Sequence, residues 1–412
     1  MRTTLDKNLR SALERTTLAA RDVAEAAARE EFTHIGVMDA KAPEWLDKDQ
    51  AAFRRALRAR ARALGGERAA DGSQKVAALA EEVAYEQWNR MVFARFLAEN
   101  GLLVYDGVPV TLADCASIAE ESNFPSAWDV AADCAAKMLP NVFRTDSLSF
   151  KVKFAPDKVK KLESLVESLA PETFQASDSL GWIYQFWQTR KKAAVNASEV
   201  KIGADELAPV TQLFTEPYMV AFLLDNSLGA WYAAKKLKGR LFSTEAEARA
   251  AVATRDIPLT YLRLVPIGRA RSPSAPQANG GGEPVDVITP CEWRPASGSF
   301  EKWPESLADF SMLDPCCGSG HFAVATLLML VPMRMELEGL DARTAVDKVL
   351  SENIHALELD RRCVEIAAFA VALEAWRYPN AGGYRPLPRL NIACVGIAPR
   401  SEEHTSELQS RI

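Results

Sequence analysis

The chain has 412 residues, of which 48% are hydrophobic, so it is long enough for two or three cores of roughly 150 residues each. This composition excludes a disordered or fibrous protein. A formal net charge of -6 provides no overall attraction to nucleic acid, so any DNA contact must come from local basic patches. No apolar run approaches the roughly 20 residues that span a bilayer, and the first residues lead into a charged helix. We therefore expect a cytoplasmic protein without membrane contact.

Two common kinds of site are not indicated. The seven cysteines are odd in number and lack Cys-x-x-Cys spacing, which argues against a disulfide framework and against a zinc site. The phosphate loop G-x-x-x-x-G-K-S/T does not occur either, which argues against a P-loop nucleotide hydrolase. We expect reduced thiols and no metal.

The amino-terminal half has a helical pattern. Residues 6–64 are mainly Ala, Arg, Glu and Leu, which predicts long helices that end at Gly65-Gly66. The next helix begins near Gln74, carries a broad apolar face and stops at Asn100-Gly101. The pattern continues to about residue 170, and the aromatic-rich segment Asp178–Trp187 predicts a further helix held by packing.

Two basic groups in this half could contact phosphates, although such runs more often form solvated helix faces. They are Arg54, Arg55, Arg58, Arg60 and Arg62, and Lys151, Lys153, Lys158, Lys160 and Lys161.

The carboxyl-terminal part alternates between strands and helices. After a loop at residues 271–282, strands are predicted at 310–314, 354–359 and 390–395, with helices at about 319–338, 341–352 and 361–377. Such alternation indicates a parallel, doubly wound sheet.

The segment Met312–Phe322 joins a hydrophobic strand to a glycine turn and an apolar helix. Gly318 and Gly320 permit backbone angles and close approach that a Cβ would forbid, and Asp314 puts a carboxylate at the end of the strand. The segment resembles motif I of the adenine-N6 DNA methyltransferases. This resemblance implies contacts with S-adenosylmethionine by the loop residues Asp314, Pro315, Cys316, Gly318, Gly320, His321 and Phe322. The last two would pack or orient the loop, since methyl transfer needs positioning more than proton chemistry.

A second element supports the first. A cofactor at one strand needs an acidic partner near the end of the next strand, where it accepts hydrogen bonds from ribose hydroxyls. Ile354–Asp360 resembles motif II, in which Glu358 is the ribose ligand and Asp360 caps the helix that begins at Arg361. Taken alone, Glu358 is more often a solvated strand end and Asp360 merely a helix cap, but the glycine loop beside them favours the ligand interpretation.

Thr211–Val220 is the third element, and it resembles motif X, where a threonine hydroxyl and backbone amides hold the methionine end of the cofactor. Thr215 matches that threonine, but Glu216 is inserted before Pro217. The same residues also suit a helix start with Thr215 as N-cap. Both interpretations can hold, because a helix N-terminus is itself a carboxylate site.

The order of motifs X, I and II is that of the gamma class of amino-methyltransferases, which act on a flipped adenine. Within that class, Leu180–Trp187 resembles a segment of the PglX-like methyltransferases of bacteriophage-exclusion (BREX) systems, and residues 88–97 resemble a helix ahead of the catalytic domain. The family implies an α/β chain. A largely helical region (1–200) would precede the start of an incomplete Rossmann-like methyltransferase domain (201–399). Double-stranded DNA and other phage-defence proteins are the implied partners.

The Asn/Asp-Pro-Pro-Tyr/Phe motif that holds adenine in these families does not occur in the sequence, so no catalytic residue is assigned. Residues 400–410 resemble a frame translation of a sequencing adapter, and we expect residues 400–412 to be a non-native tail. The strand Leu390–Val395 corresponds to motif III, with Asn391 as a weak substitute for the usual aspartate. We expect an amino-terminal fragment that is inactive alone.

Three alternatives stay open. A Type IIG or Type I restriction-modification methylase subunit shares motifs X, I and II. A nicotinamide oxidoreductase is the second, since Gly318–Ala323 fits G-x-G-x-x-G/A. Against it, two helical segments separate this loop from Glu358, where about 20 residues are usual. The third is a non-catalytic scaffold with a vestigial cofactor fold.

Overall fold

The computed structural model describes residues 4–140, 142–143, 147–198, 215–254, 257–268, 290–298 and 300–395. Over these residues the protein is mostly helical, with small sheets. Its described residues divide into two compact units, one of residues 4–198 with 383–386 and one of residues 215–382 with 387–395. The predicted loop at 271–282 and tail at 400–412 lie outside the described residues. No described helix is both long and apolar enough to cross a membrane.

In its described residues the first unit consists of helices and one short antiparallel hairpin, β1 (Val104–Tyr105) with β2 (Val108–Pro109). Its helices are α1 (Lys7–His34), α2 (Lys48–Ala63), α3 (Ala77–Glu99), α4 (Leu112–Ser122), α5 (Ala127–Met138), α6 (Leu148–Lys151), α7 (Pro156–Glu167), α8 (Pro171–Gln175) and α9 (Ser179–Ser198).

Local sequence explains where the first helices begin and end. The Asp6 side chain accepts hydrogen bonds from the first amides of α1, and Asp47 with Gln50 forms a capping box at the start of α2. Helix α2 ends at Ala63, just ahead of Gly65, whose positive φ of 83° lets the chain turn away. The helical pattern predicted for residues 6–64 is thereby confirmed, with a break between α1 and α2.

The aromatic segment of α9 is buried, as its composition predicts. Trp187 of α9 and Trp88 of α3 are fully buried. The Tyr85 ring meets Trp187 and Tyr184 edge-on, with ring centroids 5.6 and 5.9 Å apart. These contacts join α3 to α9 by aromatic packing, which adds about 0.5–1.5 kcal/mol per pair beyond the area buried.

Two of the arginines considered for phosphate contact are buried. The Arg54 guanidinium donates to the carbonyl oxygens of Gly36 (2.7 Å), Asp39 (2.6 Å) and Lys41 (3.1 Å). Arg58 donates to the carbonyl oxygens of Val37 (2.7 Å), Asp39 and Gly72 (2.8 Å). The phosphate interpretation is therefore wrong for Arg54 and Arg58, because both side chains are buried and hydrogen-bond to loop carbonyls.

The second unit contains helices α10 (Pro217–Asp225), α11 (Leu228–Leu237), α12 (Glu245–Val252), α13 (His321–Glu338), α14 (Ala342–Lys348) and α15 (Arg361–Arg377). A 3-10 turn (Leu307–Asp309) leads toward the first parallel strand, and a π turn (Val349–Asn353) leads into the second. Strands β3 (Leu241–Phe242), β5 (Cys291–Pro295) and β4 (Leu264–Pro266) form an antiparallel sheet in that order.

A second sheet holds strands β6 (Met312–Asp314), β7 (Ile354–Glu358) and β8 (Asn391–Cys394) in sequential, parallel order. The predicted strands and the helices between them are confirmed. Parallel pairing aligns the strand ends: Asp314 lies beside Ala356, and Glu358 lies beside Cys394. The carboxyl ends of all three strands, with the loops that follow them, therefore meet at one edge of the sheet.

The buried arginines generate the first prediction. In Arg58→Met the aliphatic volume is kept, but three loop carbonyls lose a charged donor, so the free energy of unfolding should fall by about 2–3 kcal/mol. Urea unfolding followed by circular dichroism measures the change. Arg55→Met, at an exposed position of the same helix, is the matched control and should leave the midpoint unchanged. Equal midpoints for both variants would contradict the structural role of Arg58.

Candidate functional site

The loop between β6 and α13 is folded tightly against the next strand. The Cys317 N–H donates to the Leu357 carbonyl oxygen (3.0 Å), and the Gly320 N–H closes a turn onto the Cys317 carbonyl oxygen (2.8 Å). The Cys316 N–H is accepted by the Asp314 carboxylate (3.1 Å). The loop thus has a defined conformation, held by backbone donors and by its own acidic residue.

The two glycines of the loop are needed for different reasons. Gly320 has a φ of 86°, and a Cβ built there would lie 2.9 Å from the Cα and Cβ atoms of Ala367 on α15. Its role is close packing of the loop on a helix. Gly318 also has a positive φ, of 52°, but a Cβ there would point into open space. Its bare backbone is therefore accessible to a ligand from that side.

Glu358 bridges the two strand ends. One carboxylate oxygen, Oε2, accepts the Gly318 N–H at 2.8 Å. The other, Oε1, accepts the N–H groups of Leu359 (2.7 Å) and Asp360 (3.1 Å). A carboxylate has about four acceptor positions, so three of them hold the backbone and one stays open for a ligand hydroxyl. Glu358 is not merely a solvated strand end.

The edge of the sheet is acidic. Burial raises the pKa of Asp314, and repulsion from the Glu358 carboxylate raises it further. Burial raises the pKa of the Cys317 thiol to about 12, so it stays protonated and is not a nucleophile at neutral pH. The two carboxylates at this edge favour a ligand that carries a positive charge.

His321 begins α13 and is close to the loop. Its Nδ1 lies 3.0 Å from the Ser319 Oγ, and burial lowers its pKa to about 4, so the imidazole is neutral at physiological pH. Phe322 is half-buried and packs against the core of the unit. Both arrangements fit residues that orient the loop. Gly320, as N-cap, supplies no side chain to the first amides of α13, which leaves a polar helix end beside the loop.

Of the other two residues predicted to cap helices, Asp360 does so and Thr215 does not. Asp360 caps α15 as predicted, because its carboxylate accepts the Arg362 N–H at 2.9 Å. Thr215 is not the N-cap of the helix that begins at Pro217, since Glu216 takes that position without a side-chain hydrogen bond. The reason is local: Pro217 forces the residue before it into an extended conformation. Residues 211–214 of the same motif lie outside the described residues.

Asn391 cannot replace the motif III aspartate. It starts β8 and lies beside His355, at the opposite end of the sheet from Glu358. Its side-chain amide donates to the Ser351 carbonyl oxygen at 3.1 Å. The residue that lies beside Glu358 is Cys394, whose thiol is exposed.

Sequence reasoning missed the residues behind the loop. Ala367 forms the surface on which Gly320 packs. Arg334 and Asn353 are fully buried and hydrogen-bond to each other at 3.1 Å. A charged residue between two methionines in the apolar α13 was the available signal for Arg334, because a buried charge needs partners.

A glycine loop after one parallel strand, with a carboxylate at the end of the next, is the arrangement in which α/β proteins hold nucleotide-like ligands. Similarity to known proteins narrows this class. The chain is 27% identical over 252 residues to the adenine-specific methyltransferase BrxX of Escherichia coli O9:H4 (strain HS). This alignment covers 61% of this chain and 17% of the relative. It is also 22% identical over 358 residues to the adenine-specific methyltransferase PglX of Lacticaseibacillus casei (strain Zhang). This second alignment covers 77% of this chain and 27% of the relative.

The chain is therefore PglX-like, and the resemblance predicted from its motifs is confirmed. It spans 17–27% of the length of these two relatives. No protein-family model matches it. Among solved structures, an ATP-dependent Type ISP restriction-modification enzyme, LlaBIII bound to DNA, aligns with a TM-score of 0.38 and 15% identity, covering 93% of this chain and 18% of that one.

The packing of Gly320 yields a prediction. In Gly320→Ala the new Cβ must displace Ala367 and the residue must keep a left-handed backbone, so the free energy of unfolding should fall by about 2–4 kcal/mol. Gly339→Ala is the matched control, since Gly339 has a φ of 67° but open space around it. The free energy of unfolding of Gly339→Ala should fall only by the cost of a left-handed backbone at alanine, about 1–2 kcal/mol. Equal losses in chemical denaturation would refute the close contact.

The acidic pair yields a pH-dependent prediction. A raised pKa means that folded protein binds the Asp314 proton more tightly than unfolded protein does, so this carboxyl favours folding at low pH and opposes it as pH rises. Asp314→Asn keeps an oxygen that can accept the Cys316 N–H and removes the charge. It should raise stability at pH 7 relative to wild type, with little difference below about pH 4. The check is denaturation at several pH values, with exposed Asp309→Asn as control; a benefit that does not grow with pH contradicts the assignment.

Proposed function

We propose that the chain forms the cofactor-binding part of a methyltransferase that moves a methyl group from S-adenosylmethionine to adenine N6 in double-stranded DNA. The observation that carries this proposal is the contact of the Gly318 loop with Glu358, in a chain similar to two adenine-specific methyltransferases. We also propose that β6, β7 and β8 are the first three strands of a Rossmann-like methyltransferase domain.

The residues present fit S-adenosylmethionine. Glu358 has one acceptor position left for a ribose hydroxyl, and Gly318 leaves open space where a ligand can approach the backbone. Pro315, Cys316, His321 and Phe322 would line or orient the same loop, with Asp360 holding α15 in place. Thr215 stays a proposed contact for the methionine end.

The charge of the site favours this cofactor over a nicotinamide dinucleotide. The sulfonium and ammonium groups of S-adenosylmethionine are cationic, whereas a dinucleotide brings an anionic pyrophosphate. The Asp314 carboxylate favours the cationic groups and disfavours a pyrophosphate, whereas Glu358 could accept ribose hydroxyls from either cofactor. The bound cofactor would supply an electrophilic methyl group, and this chain's residues would hold it in a fixed orientation.

In the proposed reaction adenine would leave the duplex, because an enzyme cannot reach the target atom of a base inside the stack. Membership of a BREX phage-defence system, with its other proteins as partners, is part of the proposal and is supported by the similarity to BrxX and PglX. A Type I or Type IIG restriction-modification methylase would present the same cofactor site.

Calorimetry on the purified chain tests the cofactor. S-adenosylmethionine and its demethylated product should bind, whereas NAD should not. If NAD binds and S-adenosylmethionine does not, the result would support the nicotinamide oxidoreductase instead. Failure of both to bind would favour a non-catalytic scaffold.

Glu358→Ala tests the residue at the centre of the site. Loss of the ribose hydrogen bond, together with loss of the brace on Gly318, should weaken S-adenosylmethionine binding by about 1–3 kcal/mol. Glu358→Gln keeps one acceptor oxygen and should lose less. Asp309→Ala, an exposed acidic change ahead of β6, is the control that should bind normally. An unchanged affinity in Glu358→Ala would show that Glu358 does not contribute to cofactor binding.

A further inference from the structure

Asn353 lies directly before β7 and fastens the chain that enters β6. Its side-chain amide donates both hydrogens to backbone carbonyls, of Leu307 (2.7 Å) and Phe310 (2.6 Å). Phe310 is two residues ahead of Met312, the first residue of β6. One fully buried side chain therefore joins the start of β7 to the approach of β6.

Arg334 of α13 holds Asn353 in that orientation. Its guanidinium donates to the Asn353 Oδ1 at 3.1 Å and to the Glu352 carboxylate at 2.6 Å. Its Nε and Nη2 nitrogens form a bidentate contact with the Glu338 carboxylate, with both distances 2.9 Å. Because Arg334 is fully buried and planar, the contact allows little freedom in where the Asn353 oxygen lies.

The register of β6 depends on this arrangement. Strand β6 has only three residues and pairs with β7 from Met312 beside Ile354 to Asp314 beside Ala356. Three residues specify register weakly, and a slip by one residue would turn every side chain of the strand to the other face. Asp314 would then leave the acidic edge, and the loop that follows would no longer present Gly318 to Glu358.

We infer that Asn353 and Arg334 are positioning residues for cofactor binding: they fix the β6 register from the end of the strands remote from the site. This inference rests on the proposed function for its ligand, S-adenosylmethionine. Among the described residues, the hydrogen bonds of both side chains go to groups outside the loop. The two residues act by keeping the Gly318 amide within reach of the Glu358 carboxylate.

Asn353→Asp separates positioning from packing. The aspartate can still accept from Arg334, but it cannot donate to the Leu307 and Phe310 carbonyls. We expect S-adenosylmethionine affinity to fall about tenfold in calorimetry. The Gly318 amide should also exchange its hydrogen faster in the ligand-free protein. Both are measured at a temperature at which circular dichroism shows the variant folded.

Two further variants keep the test decisive. Val346→Ala, fully buried in the core of the same unit, should lower stability yet leave both the affinity and the Gly318 exchange rate unchanged. Glu338→Gln leaves Asn353 intact, weakens the bidentate contact with Arg334 and should reduce affinity about threefold. It carries the test if Asn353→Asp does not fold.

The two levels of the proposal fail differently. If wild type binds S-adenosylmethionine and the Asn353 and Glu338 variants bind equally well with unchanged Gly318 exchange, the positioning role is overturned. If wild type does not bind, the proposed function fails. The exchange rate of Gly318 in the free protein then still decides whether Asn353 sets the loop.

Discussion

The hydrogen bond from the Gly318 amide to the Glu358 carboxylate joins the end of one parallel strand to the end of the next. It can form only if three conditions hold together. The strands must pair in the observed register, Gly320 must let the loop lie on α15, and the Glu358 side chain must be held toward the Gly318 amide by its contacts with the Leu359 and Asp360 amides. Each condition comes from a different part of the second unit. The candidate site is thus a property of the packed sheet and helices more than of the loop alone.

The cost of this arrangement is electrostatic. Two carboxylates at one sheet edge repel each other, and burial makes the charge on Asp314 less favourable still. Backbone amides offset part of that repulsion, with one donor on Asp314 and three on Glu358. A cationic ligand, such as the proposed cofactor, would reduce the repulsion between the two carboxylates.

Charged residues elsewhere show how tertiary contacts redefine a sequence pattern. Arg54 and Arg58 have the spacing of a basic helix face, yet both turn inward and hold backbone carbonyls. Arg334 interrupts an apolar helix and turns out to be the centre of a buried network. Residue spacing alone does not distinguish an arginine that binds phosphate from one that binds backbone carbonyls inside the protein, because both use the same guanidinium geometry.

The sequence by itself determined the features that depend on neighbouring residues. The strand and helix order after residue 310, the cap at Asp360, the glycine loop and the resemblance to PglX-like methyltransferases all follow from short stretches of chain. Local rules failed where two of them compete, as at Thr215, where the constraint from Pro217 made Glu216 the N-cap.

Only the tertiary structure decided which end of β8 faces the site, and so removed Asn391 from it. It also decided that Glu358 braces the loop and that Asn353 fastens two strand entries. These facts depend on the register between segments about forty residues apart. Register is set by the simultaneous packing of sheet and helices, which no single stretch of sequence contains.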